Sequence, residues 1–210
     1  MQKNLPNQIT VFRFFIIPFI LIFISFYPAE KGDSIWILLS YIFSLLLFIL
    51  ATVSDYLDGY YARKYNLTSE FGKLFDPLAD KILTSSLFVL FTHFDLLSPY
   101  IVIIILAREF LISGLRSFAA IHNQVLGANR WGKHKTGWQI ALIICIYLEI
   151  IHSELIKFFP LQNNIVYLIF GDLTFIAHYF ILTVVLFLTI FSSYIYISAN
   201  KHLLKNILES

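Results

Sequence analysis

Residues 34–53, SIWILLSYIFSLLLFILATV, form an uninterrupted stretch of twenty positions without a charged side chain. A helix of about 20 apolar residues matches a hydrocarbon layer of about 30 Å. Such a stretch satisfies its backbone polar groups internally only as a helix. A transmembrane barrel would instead alternate apolar and polar residues over about ten positions, and no segment here does. Charged residues make up only 13% of the 210-residue chain, with 59% hydrophobic, against roughly 25% charged in a soluble domain. The expected fold is therefore all-α: a polytopic integral membrane protein forming one domain over residues 1–210.

Six spans can be placed, at about 10–27, 34–53, 72–93, 98–122, 135–152 and 172–196. The second continues beyond its apolar part through DYLDGYYAR. The third has to carry Asp76, Asp80 and Lys81 within itself, because residues 82–92 alone are too short to cross. Residues 161–170 are apolar but short, and read as an interfacial segment rather than a seventh crossing. The N-terminal stretch lacks a small-residue cleavage site and reads as a retained first span. Cys145 is the single cysteine, so no internal disulfide forms, and its apolar setting marks it as a small filler.

Lysine and arginine positions set the expected orientation. Lys3, Arg63, Lys64, Lys73, Arg130, Lys133, Lys201 and Lys205 fall on one side, and only Lys31 and Lys157 on the other. Both termini and the 63–73 loop are thus expected to face the cytoplasm, in the plasma (inner) membrane. The unusual charges then gather at one end, where a polar, cytosol-facing cavity is expected.

The chemistry concentrates in SDYLDGYYARKYNLTSEFGKLFDPLADK, residues 54–81. Asp55 and Asp58 stand three apart; Gly72, Asp76 and Asp80 are spaced by four along one helix face. Carboxylates at the end of an apolar run are costly and need a function. Four of them on two helices suit Mg²⁺, which takes oxygen ligands and shares them with substrate phosphates. A salt-bridge network with Arg63, Lys64, Lys73 and Lys81 is the alternative, and spacing alone leaves both open.

The pattern Asp55-x-x-Asp58-Gly59-x-x-Ala62-Arg63, eight residues, then Gly72-x-x-x-Asp76-x-x-x-Asp80 resembles the signature of the CDP-alcohol phosphotransferase family at every specified position. The resemblance implies two Mg²⁺ or Mn²⁺ ions held by Asp55, Asp58, Asp76 and Asp80, with CMP as leaving group. It implies Asp80 as general base on the acceptor hydroxyl. Asp58, Gly59, Ala62, Arg63 and Gly72 would meet the CDP-lipid; the planar donor fork of Arg63 suits a diphosphate, and small residues allow close approach.

The acceptor alcohol has to be read elsewhere. Arg108, Glu109, Arg116, Arg130, Lys133 and Lys135 belong to spans four and five. An alcohol bearing its own phosphate needs such a basic pocket, while positive-inside anchoring is the plainer account of Arg130, an equal one for Lys133 and a poor one for Arg108 inside its span. Glu109 and Arg116, seven apart, share a helix face and are expected to pair, leaving Arg108 the less committed cation. Three stretches resemble the branch of the family that makes phosphatidylglycerophosphate. They are Asn4-Leu5-Pro6-Asn7-Gln8-Ile9-Thr10 with Arg13 and Pro18, Ala107-Arg108-Glu109-Phe110 to Arg116, and Gly132-Lys133-His134-Lys135-Thr136. This implies transfer from CDP-diacylglycerol to glycerol 3-phosphate, with Asn7 and Thr10 on the CDP-lipid. Arg13, Arg108, Arg116, Lys133 and Lys135 would then serve the acceptor phosphate. Ser192-Ser193-Tyr194-Ile195-Tyr196 departs from the Ser-Gly-x-x-Tyr that the resemblance leads one to expect, so looser packing is expected there.

The family resemblance further implies a homodimer in membrane lipid, and nothing suggests nucleic acid. Competing readings are a related transferase acting on serine, inositol phosphate or a phospholipid, and a divalent-cation transporter. The transporter needs acidic residues along the other half, where Glu149 and Asp95 make a poor path. The histidines are expected to pack or to sit at interfaces.

Overall fold

The computed structural model describes residues 5–26, 35–65, 70–121, 130–158 and 165–201. Its helices are α1 (Leu5–Ile24), α2 (Ile35–Tyr65), α3 (Glu70–His93), α4 (Pro99–Ile121), α5 (Arg130–Phe158) and α6 (Ile165–Ala199). Among the described residues there is no strand, as a chain starved of surface charge and rich in long apolar runs requires. Among the described residues, three helices contain stretches long and apolar enough to cross a membrane: Ile35–Leu57, His134–Lys157 and Leu168–Ala199. Phe12–Ile24 and Lys81–His93 are shorter apolar segments, and α4 carries Arg108, Glu109 and Arg116 in its middle.

Two boundaries differ from expectation. Residues 165–170 are not a separate interfacial segment but the first turns of α6, whose 35 residues exceed a single crossing. Residues 161–164 lie outside the described residues. α5 also continues past His152 to Phe158, because nothing in SELIKF breaks a helix. The continuation of α2 through Asp55 and the Tyr-rich segment into Tyr65 is as expected.

Large apolar side chains such as Phe15, Trp36, Ile103, Ile176 and Phe187 stand on the outside, as they do when the surrounding solvent is hydrocarbon. Inside, α1, α2, α3 and α5 share one apolar core that includes Ile20, Phe48, Leu87, Phe91 and Ile146. A polar pin crosses it. Ser44 Oγ on α2 donates to the Ile20 carbonyl on α1 at 2.9 Å. With that proton committed, the Tyr147 hydroxyl on α5 is the donor in its 2.7 Å bond to Ser44. Phe48 stacks on the Tyr147 ring and Phe91 meets it edge-on, at 6.3 and 5.9 Å. Ser44→Ala removes both bonds across three helices and is expected to destabilise the bundle by about 0.6–2 kcal/mol. A reversible unfolding titration in mixed micelles measures it.

Candidate functional site

The signature lies on the C-terminal half of α2 and the N-terminal half of α3, two helices that pack together. Continuous helix through both places Asp55 and Asp58 three apart and Gly72, Asp76 and Asp80 four apart, each set along one face. The side chains of Asp58, Ala62, Arg63, Asp76, Asp80, Asn7, Thr10 and Lys133, and the surroundings of Gly59 and Gly72, lie outside the described residues. Asp55 is described, and its side chain is 42% exposed.

Arg13 on α1 reaches Asp55. Its guanidinium is 1% exposed and forms an ion pair and hydrogen bond with the Asp55 carboxylate. A buried guanidinium needs such a partner, and α1 packs against α2. The sequence reading assigned Arg13 to an acceptor phosphate and did not anticipate this pairing, which only the crossing of two helices creates. A carboxylate is a hard oxygen donor of the type a divalent cation takes. Among the described residues, no group of three or more His, Cys, Asp or Glu is set to hold a metal.

A second cluster joins α4, α5 and α6. Lys135, 1% exposed at the start of α5, forms a salt bridge with Glu109 on α4. Arg108 Nη1 stands 3.6 Å from the other Glu109 oxygen. Arg108 Nη2 donates to Ser192 Oγ on α6 at 3.1 Å, and a Cβ added at Gly132 would lie 3.8 Å from it. Arg108 Nε is buried without a hydrogen-bond partner among the described residues. Lys81, beside Asp80 on α3, donates to Ser113 Oγ of α4, whose own proton goes to the Glu109 carbonyl at 2.6 Å.

The expected Glu109–Arg116 pair is not formed. Glu109 turns to Lys135, because a buried ammonium has the stronger demand for a carboxylate. Arg116 lies with its guanidinium carbon 5.4 Å from the centre of the Tyr196 ring, a cation–π contact. The expected loosening around residues 192–196 is also absent at its key positions. Ser192 and Tyr196 are buried, and Ser193 turns its hydroxyl onto the Thr189 carbonyl at 2.6 Å. Sequence reasoning therefore missed Ser192 and Tyr196 as partners of Arg108 and Arg116. Their signal was hydroxyl-bearing residues four apart in an otherwise apolar helix.

Among the described residues, Arg108 and Lys135 thus converge on one carboxylate, Glu109, while Arg116 lies on the same helix against the Tyr196 ring. The surplus of positive charge with fixed N–H donors suits an anion with several oxygens, such as a phosphate.

Comparison with known proteins agrees with this chemistry. Residues 3–191 match the family described as CDP-alcohol phosphatidyltransferase. A CDP-diacylglycerol–glycerol-3-phosphate 3-phosphatidyltransferase of Bacillus subtilis is 39% identical over 206 residues, covering 96% of this chain and 97% of that one. A protein of the same name from Rickettsia felis is 37% identical over 201 residues, covering 95% and 97%. Another from Mycoplasma pneumoniae is 36% identical over 152 residues, or 68% and 67%. The chain belongs to the CDP-alcohol phosphatidyltransferase family.

Proposed function

We propose that the protein transfers the phosphatidyl group of CDP-diacylglycerol to the 1-hydroxyl of sn-glycerol 3-phosphate, releasing phosphatidylglycerophosphate and CMP. The observation that carries the choice of acceptor is the Arg108–Glu109–Lys135 cluster braced by Ser192. A neutral alcohol has no use for surplus buried cations, whereas a phosphorylated one neutralises them. The curated relatives of the same length carry this activity in their names.

In the step, the acceptor hydroxyl oxygen attacks the phosphorus bonded to the diacylglycerol, and the bond from that phosphorus to the CMP oxygen breaks. Asp80 takes the hydroxyl proton. Asp55, Asp58, Asp76 and Asp80 would hold two Mg²⁺ or Mn²⁺ ions, whose chemistry is to neutralise the diphosphate. Arg13 holds the Asp55 carboxylate in place, Asp58, Gly59, Ala62, Arg63, Gly72, Asn7 and Thr10 meet the CDP-lipid, and Arg108, Arg116, Lys133 and Lys135 grip the acceptor phosphate. All six helices cross the membrane, with both termini and the site on the cytoplasmic side, and two copies pair in the bilayer.

The test supplies purified protein with CDP-diacylglycerol, Mg²⁺ and a panel of acceptors, and measures CMP release. Release with glycerol 3-phosphate supports the reading; release with serine or inositol phosphate instead refutes it. Arg108→Ala is expected to raise the Michaelis constant for glycerol 3-phosphate about 10–100-fold, the worth of hydrogen bonds to a charged group. Its turnover number should change far less, and an unchanged Michaelis constant removes Arg108 from the pocket.

A further inference from the structure

Lys81 heads the apolar run ILTSSLFVLF of α3, and a lysine within an apolar span is costly. Such a lysine ordinarily lays its stem along the helix and carries its ammonium to water at the membrane face. Lys81 instead turns sideways. Its half-buried ammonium crosses to α4 and donates to Ser113 Oγ, 32 residues away in the chain.

The direction of this bond is fixed by chemistry. An ammonium has donors only, and a hydroxyl has a single proton. Ser113 has given its proton to the Glu109 carbonyl at 2.6 Å, so its oxygen receives Lys81 as an acceptor. The result is a polar tie from Lys81 Nζ through Ser113 Oγ to the backbone of Glu109. Glu109 is also the residue on whose carboxylate Lys135 and Arg108 converge. One end of the tie adjoins Asp80 and the other adjoins the basic cluster.

Further along α3 the setting is apolar. Leu83, Leu87 and Phe91 of α3 share one core with Val102 and Ile105 of α4. Burial of such side chains is non-directional, whereas a hydrogen bond fixes a distance and an angle. The tie therefore sets the rotation and height of α3 against α4 at the level of Asp80.

We propose that Lys81 and Ser113 are positioning residues for phosphatidyl transfer, their bond setting the distance from the general base on α3 to the acceptor-phosphate cluster on α4 and α5. This rests on the reading of Asp80 as the base and of Arg108 and Lys135 as ligands of the acceptor phosphate. Glycerol 3-phosphate is short, with its phosphate at one end and the attacking hydroxyl at the other. Once the phosphate is gripped, the hydroxyl cannot follow a base that moves. A misplacement of about 1 Å lowers the rate by on the order of 100-fold. Lys81 acts through Asp80 and Ser113 through Glu109. A tie that only stabilised the bundle would lower the unfolding temperature and leave the turnover of the folded protein intact.

The test measures CMP release to obtain kcat and the Michaelis constants, with equilibrium binding of CDP-diacylglycerol and the unfolding temperature followed on the same micellar samples. Ser113→Ala should lower kcat about 10–100-fold. Its Michaelis constant for glycerol 3-phosphate and its affinity for CDP-diacylglycerol should stay close to those of the wild type, because the groups that grip both substrates are untouched. Ser113→Thr keeps the hydroxyl and should restore kcat. Lys81→Met should lower kcat as far as Ser113→Ala does, and the double variant no further, since the two side chains act as one unit. Should Ser113→Ala fail to fold, Ser113→Cys keeps the volume with only a weak acceptor and decides by the same split. Unchanged kcat, a change confined to the Michaelis constant, loss of CDP-diacylglycerol binding by the folded variant, no rescue by threonine, or a double variant that falls by the product of the two single effects overturns the proposal. If the wild type releases CMP only with another acceptor of the panel, the choice of glycerol 3-phosphate fails, and the same split read with that acceptor decides on Lys81 and Ser113. No release with any acceptor overturns both.

Discussion

Asp80→Asn is expected to lower CMP release by about 10²–10⁴-fold while CDP-diacylglycerol still binds. The size is that of a lost general base, equivalent to about 3–5 kcal/mol in the barrier. Asparagine preserves volume and one oxygen, so Asp55, Asp58 and Asp76 retain most of the proposed metal set. The measurement pairs a CMP-release assay with equilibrium binding of the CDP-lipid at saturating Mg²⁺. Loss of both together would make Asp80 chiefly a metal ligand. Lys81, the next residue, is tied across to Ser113 of α4, so this part of α3 is braced and a local collapse is not the expected cause.

The second large effect is on stability. Glu109→Ala removes the carboxylate from Lys135, whose side chain is 1% exposed. Breaking a buried ion pair from one side is worth about 3–5 kcal/mol, because a charge is left without its counter-ion. The double variant Glu109→Ala with Lys135→Met removes both charges and should recover most of that loss. It should not recover acceptor affinity, since a cation of the proposed phosphate pocket is gone. Unfolding titrations and the Michaelis constant for glycerol 3-phosphate, measured on all three proteins, separate the two roles. If the double variant binds glycerol 3-phosphate as the wild type does, Lys135 is a structural cation only.

Much of the helical layout was legible in the residues. The apolar stretch at 34–53 and its continuation through Asp55 became one helix, α2, of 31 residues. Helix ends were less legible where no glycine or proline stops the chain, as at α5, which runs on to Phe158, and at residues 165–170, which α6 absorbs. The identity of the charged residues at the candidate site could also be read, since ionisable side chains in apolar helices are few. Their partners could not. The spacing of Glu109 and Arg116 suggested a pair within one helix, yet Glu109 takes Lys135 from another and Arg116 takes the Tyr196 ring. Periodicity describes one helix at a time, whereas partner choice depends on which faces meet and on which charge is more deeply buried.

By itself the sequence determined the helical class, the membrane setting and the family. Long uncharged runs leave helices as their solution in hydrocarbon, and eight signature positions at fixed spacing carry the family resemblance. The tertiary structure alone decided that Arg13 holds Asp55, that Ser192 braces Arg108, and that Asp95 and Glu149 share a cavity at the other end. The first two contacts join residues 42 and 84 positions apart in the chain. Only the packing of one helix against another brings such residues within hydrogen-bond reach.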